Sequence, residues 1–167
     1  MRRTSLVLAA ALAAFAGTSC DKAPTAAPPP SAAGIQVLEG SSANSSATGV
    51  VRYVFGATTA HLSFIATTNG SSVATGKALY YSSNANVVMV INVTCLYVSS
   101  GTARFLGTIL ESNDTSIEGD DAYWEVRDAS PDQASLINIA ESGTGPDCSI
   151  PTEFDLVNVA AGTITVS

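Results

Sequence analysis

Residues Val87–Val98 read VVMVINVTCLYV, a run that is apolar on both faces for most of its length. A strand with one face in water alternates at period two, so a run that does not alternate predicts a central strand, covered on each side or threaded through a sandwich interior. Elsewhere the alternation is legible. In His61–Thr67, Leu62, Phe64 and Ala66 share one face while His61, Ser63 and Thr67 share the other. Further strands are predicted over Ile35–Leu38, Val50–Phe55, Gly76–Tyr81, Ala103–Leu110, Tyr123–Arg127, Ser135–Ala140, Phe154–Val159 and Thr163–Val166. Loops are marked at 68–72, 99–101 and 142–146 by Gly, Ser, Asn and Pro. Ala129–Ile139 offers the only helical candidate, but Pro131 and the β-branched Ile137 and Ile139 argue for a turn followed by a strand. The fold class is therefore all-β, an antiparallel β-sandwich of about 8–10 strands, with an up-and-down β-barrel as the alternative. The sandwich is preferred because Val87–Val98 and Ser135–Ala140 call for cover on more than one side.

The N-terminus has another character. Arg2 and Arg3 precede LVLAAALAAFA at Leu6–Ala16, a run too short to span a bilayer as a helix, which needs about 20 residues, and of the size of an export signal. The stretch GTSC, ending at Cys20, resembles the lipobox of bacterial lipoproteins, whose cysteine is acylated and becomes the mature N-terminus. Gly17 stands where that pattern prefers Leu, and cleavage after Ala16 is the rival reading. DKAPTAAPPPSAAG follows, with a composition that does not pack and that in polyproline geometry extends about 3.1 Å per residue. The expected organisation is a signal peptide over 1–19, a lipid-anchored disordered tether over 20–34, and a single β domain over 35–167.

Charge is unevenly spread. All but Asp21 and Glu39 of the fourteen acidic residues lie from Glu111 onward, where Arg127 is the sole base. Such a surface is repelled by phosphate backbones and by anionic lipid, so nucleic acid is excluded as a partner and membrane attachment is expected through the lipid alone. With Cys20 acylated, Cys95 and Cys148 remain as an even pair in an exported protein, for which a disulfide is the default and two buried thiols the alternative.

No catalytic or cofactor signature appears. His61 is the only histidine, no Gly-x-Ser-x-Gly elbow accompanies it, and its place opposite an apolar face reads as a solvent-facing strand residue. The run Asn113–Asp121 offers Asp114, Glu118, Asp120 and Asp121 around Gly119 as a weak calcium candidate. It lacks the Asp-x-Asp-x-Asp-Gly frame of an EF-hand loop and reads first as a solvated hairpin. Asp128 and Asp132 bracket a proline turn, where carboxylates accept backbone N–H groups. Trp124 reads as a core anchor, and Arg52, Arg104 and Arg127 as strand-face partners of the acidic excess. The Asn-x-Ser/Thr sequons at Asn44, Asn69, Asn92 and Asn113 carry little weight beside a bacterial lipobox.

From Gly49 to Val166 the chain resembles an uncharacterised, post-COAP-like set of secreted bacterial β domains. The resemblance rests on LSF at Leu62–Phe64, TCLYV at Thr94–Val98, ARFLGTI at Ala103–Ile109, VRD at Val126–Asp128, PDQASL at Pro131–Leu136 and GTITV at Gly162–Val166. It implies a fold and a secreted location, and no activity. The function expected is that of a bacterial cell-envelope lipoprotein facing periplasm or exterior. Its β domain would be non-enzymatic and cofactor-free, binding an unknown protein or glycan partner or serving a structural role. The alternative is a small-ligand carrier or hydrolase using an interior cavity.

Overall fold

A computed structural model describes residues 44–167. The expected signal peptide, Cys20, the expected tether and the strand expected at Ile35–Leu38 lie outside them. Among the described residues there are nine strands: β1 (Ser45–Phe55), β2 (Thr58–Thr68), β3 (Val73–Ser82), β4 (Val87–Ser99), β5 (Thr102–Ser112), β6 (Asp121–Arg127), β7 (Gln133–Ser135), β8 (Asn138–Ala140) and β9 (Leu156–Val166). A single 3₁₀ turn, Thr115–Ile117, sits between β5 and β6.

The strands close on themselves. Each of β1 to β6 pairs antiparallel with the next, and β6 pairs with β7. The ring is completed by β7 on β9 and β9 on β1, which makes an eight-stranded barrel with β8 added beside β6. The all-β antiparallel class holds, and the barrel is the arrangement found in place of the preferred sandwich. The inference from Val87–Val98 misjudged the outer face of that strand. Met89, Ile91 and Val93 point inward, while Val88 lies exposed and Val90 half-buried on the outside, so no second sheet covers them.

Two further differences concern the last strands. Ser135–Ala140 is divided, because β7 belongs to the ladder with β9 while β8 joins the opposite end of β6. Phe154–Val159 and Thr163–Val166 are one strand, β9, bent where the register with β1 shifts at Arg52/Tyr53. Gly162 permits this bend. Its φ of 100° lies in a region other residues avoid, and a Cβ there would collide with the carbonyl of Val50.

Period-two alternation supplies the core. Ala47, Gly49, Val51 and Tyr53 of β1 face inward, as do Ala60, Leu62, Phe64 and Ala66 of β2. Gly49 leaves room for the Phe64 ring, which a Cβ would meet at 2.7 Å. Phe64 packs edge-on against Phe105 with centroids 5.2 Å apart, and Phe105 stacks on Trp124 at 4.6 Å with the rings nearly parallel. Tyr53, Met89, Ile91, Leu96 and Ile109 are likewise fully buried, so the barrel interior is filled by side chains. Hairpin turns follow the loop chemistry. Ser100 and Gly101, with φ of 50° and 73°, join β4 to β5 in the left-handed geometry that matches strand twist.

Candidate binding surface

The outer face of β1–β4 carries exposed aliphatic side chains in register. Val50 lies opposite Ser63, Ser63 opposite Leu79, and Leu79 opposite Val90. One row along, Arg52, His61, Tyr81 and Val88 follow one another across the same strands, and beyond them Ile65 faces Lys77. Val50 is 69 % exposed, Ile65 61 % and Leu79 50 %. No Asp or Glu occurs between Glu39 and Glu111, so the face is apolar and basic without a counter-charge of its own. Among the described residues the only ion pairs join Arg104 and Arg127 to Glu125, which leaves Arg52 and Lys77 without acidic partners. A shallow depression of about 320 Å³ lies at one edge, lined by Val50, Arg52, His61, Ser63, Ala161 and Gly162.

Sequence reasoning missed this surface, although its signal was present. Ile65 alternates with Leu62, Phe64 and Ala66 just as His61 and Ser63 do, and so had to face outward. The expectation that all three arginines pair with acids is corrected for Arg52. Its cross-strand partners are His61 and Ala161, because every acid among the described residues lies from Glu111 onward. For Arg104 and Arg127 the expectation holds, at 3.6 Å and 3.0 Å from Glu125. The Arg104 guanidinium also sits over the Tyr97 ring, 4.8 Å from its centroid.

His61 is exposed, and its cross-strand neighbours are a cation and a phenol, Arg52 and Tyr81, the Tyr81 ring 5.9 Å away. A catalytic base needs a carboxylate or carbonyl to orient its ring and a hydroxyl within hydrogen-bond reach. Neither Arg52 nor Tyr81 can hold the ring as an acceptor carboxylate would.

Three of the four calcium candidates have their carboxylates committed elsewhere. Asp114 caps the 3₁₀ turn, its Oδ1 accepting from Ser116 N at 3.1 Å and Ser116 Oγ at 2.6 Å, and these bonds hold its carboxyl below the usual range. Glu118 Oε1 accepts from Ser112 N at 3.0 Å, and Asp121 Oδ2 accepts from both Gly143 N and Gly145 N at 2.9 Å. Asp120 uses its backbone carbonyl to accept from Ile109 N. Among the described residues, the one group of three candidate metal-ligand atoms is Cys95, Asp147 and Cys148, whose sulfurs are consumed by a disulfide.

That disulfide joins Cys95 of β4 to Cys148, with Cα atoms 6.1 Å apart. Residues 141–155 therefore run as a strap over the outside of β4–β6. Asp121 fastens one end, and Phe154 packs edge-on against Tyr123 at 6.1 Å near the other. Under the strap Glu125 is buried on the barrel exterior between its two arginines. The strap itself is acidic, with Glu141, Asp147, Glu153 and Asp155 all exposed.

A depression of about 540 Å³ at one end of the barrel is lined mostly by hydroxyls and amides, among them Asn44, Ser46, Thr67 and Asn69, with no aromatic platform. The side chains that carry chemistry are thus dispersed, and the β1–β4 face is the feature that gathers binding capacity in one place. No protein-family model matches the chain, and no match was found among curated proteins or solved structures.

Proposed function

We propose that the chain is a lipid-anchored bacterial envelope protein whose β-barrel serves a non-enzymatic binding or structural role, with the outer face of β1–β4 as its contact surface. The observation that carries this reading is the concentration of Val50, Ile65, Leu79, Arg52 and Lys77 on one face of a barrel whose interior is already filled. Contiguous exposed apolar side chains are costly in water and mark interaction surfaces. A filled interior argues against an internal ligand, and dispersed polar groups argue against hydrolysis. The signal pattern before Cys20, the Pro-rich tether and the resemblance to secreted β domains support the envelope address.

Labelled fatty acid is expected in the wild-type protein, with Cys20→Ala released as a soluble species. An unmodified mature chain beginning at Gly17 would refute the anchor. A photo-crosslinker at Leu79 is expected to give discrete adducts in native envelopes where one at Thr115 gives none. Equal or absent products at the two positions would refute the contact surface.

A further inference from the structure

Two surfaces on opposite halves of the barrel complement one another. The β1–β4 face combines Val50, Ile65 and Leu79 with Arg52 and Lys77. The other is formed by β8 and the two ends of the strap, where Ile139 is 40 % exposed among Glu141, Glu153 and Asp155. In the closed order β1-β2-β3-β4-β5-β6-β7-β9, β2 stands four strands from β6 and β3 four from β7. The middle of the strap is tied to β4 by Cys95–Cys148, but its two ends are held at β6 by Asp121 and Tyr123, four strands from β2, so Glu141, Glu153 and Asp155 lie on the side away from Arg52 and Lys77. The two surfaces cannot meet within one molecule.

We infer that they meet between molecules: the occupant of the β1–β4 face is the strap surface of a second copy of this chain. This rests on the contact surface proposed above and names its partner. Each surface offers what the other lacks, aliphatic area with cations on one side and aliphatic area with carboxylates on the other. The formal net charge of −7 opposes association at long range, but at physiological salt exposed charges beyond about 8 Å are largely screened, so local pairs govern the contact. An anionic bilayer supplies the opposite charge for Arg52 and Lys77 as well. It would, however, also meet the acidic excess of the rest of the domain, whereas a second copy presents its acids on one oriented surface. Because the two surfaces differ and face apart, the contact is head-to-tail and does not close, which yields open chains of molecules instead of a two-fold dimer.

Sedimentation velocity of the full chain carrying Cys20→Ala tests this without any contribution from acyl groups. The sedimentation coefficient is expected to rise with concentration without a plateau at dimer. On that background, Arg52→Glu/Lys77→Glu and Glu153→Lys/Asp155→Lys are each expected to weaken association at least about tenfold, since each places like charges across the contact. Mixing the two variants restores it, because each then presents the charge the other needs. Near-ultraviolet circular dichroism of each variant checks that the barrel is intact. A monomer at all concentrations, a closed dimer, undiminished association of either variant, or failure of the mixture overturns the inference. So does binding to vesicles of anionic phospholipid that depends on Arg52 and Lys77 without self-association. If the Leu79 crosslinker captures a different protein while sedimentation shows a monomer, the contact surface stands and the second copy does not.

Discussion

Asp132 Oδ2 accepts the backbone N–H of Ile164 at 2.8 Å, and in doing so substitutes for a missing strand. Along one side β9 is paired with β1 as far as Val166, but on the other β7 reaches only Leu156–Asn158. Beyond that point the Asp132 carbonyl accepts from Val159 N at 2.8 Å, its carboxylate from Ile164 N, and Asp128 Oδ2 from Val166 N at 3.1 Å. The seam where the barrel closes is thus held by acceptors on the turn that the sequence marks with two aspartates around a proline.

Replacing Asp132 with Ala removes the acceptors for Ile164 N and for Ala129 N, the latter at 3.1 Å. Ile164 is buried, so a loss of about 2–4 kcal/mol is expected in urea unfolding followed by Trp124 emission. Asp132→Asn keeps one acceptor oxygen and should lose roughly half as much. A change within about 0.5 kcal/mol for the alanine variant would show that the seam does not depend on this carboxylate.

Opening the Cys95–Cys148 bridge, which spans 53 residues, is expected to lower stability by about 4 kcal/mol on the chain-entropy argument. The loss should be local in the native state. With Cys95→Ser/Cys148→Ser, amide exchange is predicted to accelerate across residues 141–155, because Asp121 and Phe154 alone then hold the strap, while β1–β3 stay protected. Uniform acceleration through β1–β3 would contradict the strap description.

Tyr53 donates its hydroxyl to the Ser135 carbonyl at 2.7 Å inside the barrel, and burial, with the charge of a nearby Tyr80 as a smaller cause, pushes its pKa well above the ordinary value. Burial raises Tyr80 as well, against the opposing effect of hydrogen bonds to Ser82 and the Ile137 backbone. A raised folded pKa means that the unfolded chain releases the proton first. Stability is therefore fully present below about pH 10 and falls as pH rises above it, by up to about 1.4 kcal/mol per pH unit for each such tyrosine. Tyr53→Phe should be less stable at neutral pH, through the orphaned carbonyl, yet show a shallower alkaline decline. An unchanged alkaline slope would show that Tyr53 does not carry the effect.

Calcium in the millimolar range is expected to leave the thermal midpoint unchanged, since Asp114, Glu118 and Asp121 already accept backbone N–H groups at separate places around the hairpin. Calorimetric titration checks this directly. A sub-micromolar site lost in Asp114→Asn/Asp120→Asn would overturn it and make calcium part of the function.

The buried face of β2, the Trp124 anchor, the bridging of Cys95 to Cys148 and the role of Asp128 and Asp132 as acceptors were legible from local pattern. Each depends on residue type and short-range alternation, or on the parity of cysteines in a chain read as exported. The candidate binding surface was only half legible. Alternation sends Ile65 and Leu79 outward, but whether a second layer covers them is a tertiary matter, and the apolar run Val87–Val98 suggested that one would. Arg52 shows the same division. Its exposed strand position was readable, whereas the want of an acid beside it among the described residues follows from which strands became its neighbours.

By itself the sequence determined the all-β class, the inward residues of the long strands and the separation of bases from most acids, because side-chain alternation and charge are properties of the local chain. Tertiary structure alone decided that the sheet closes. Closure depends on β5 meeting β6 and on β9 reaching β1 across the whole domain, with Gly162 turning the strand at the point of contact. Register between strands distant in sequence is set by the packing of Trp124, Phe105 and Phe64 together in one interior, and local alternation is the same whether a strand ends in a sandwich or in a barrel.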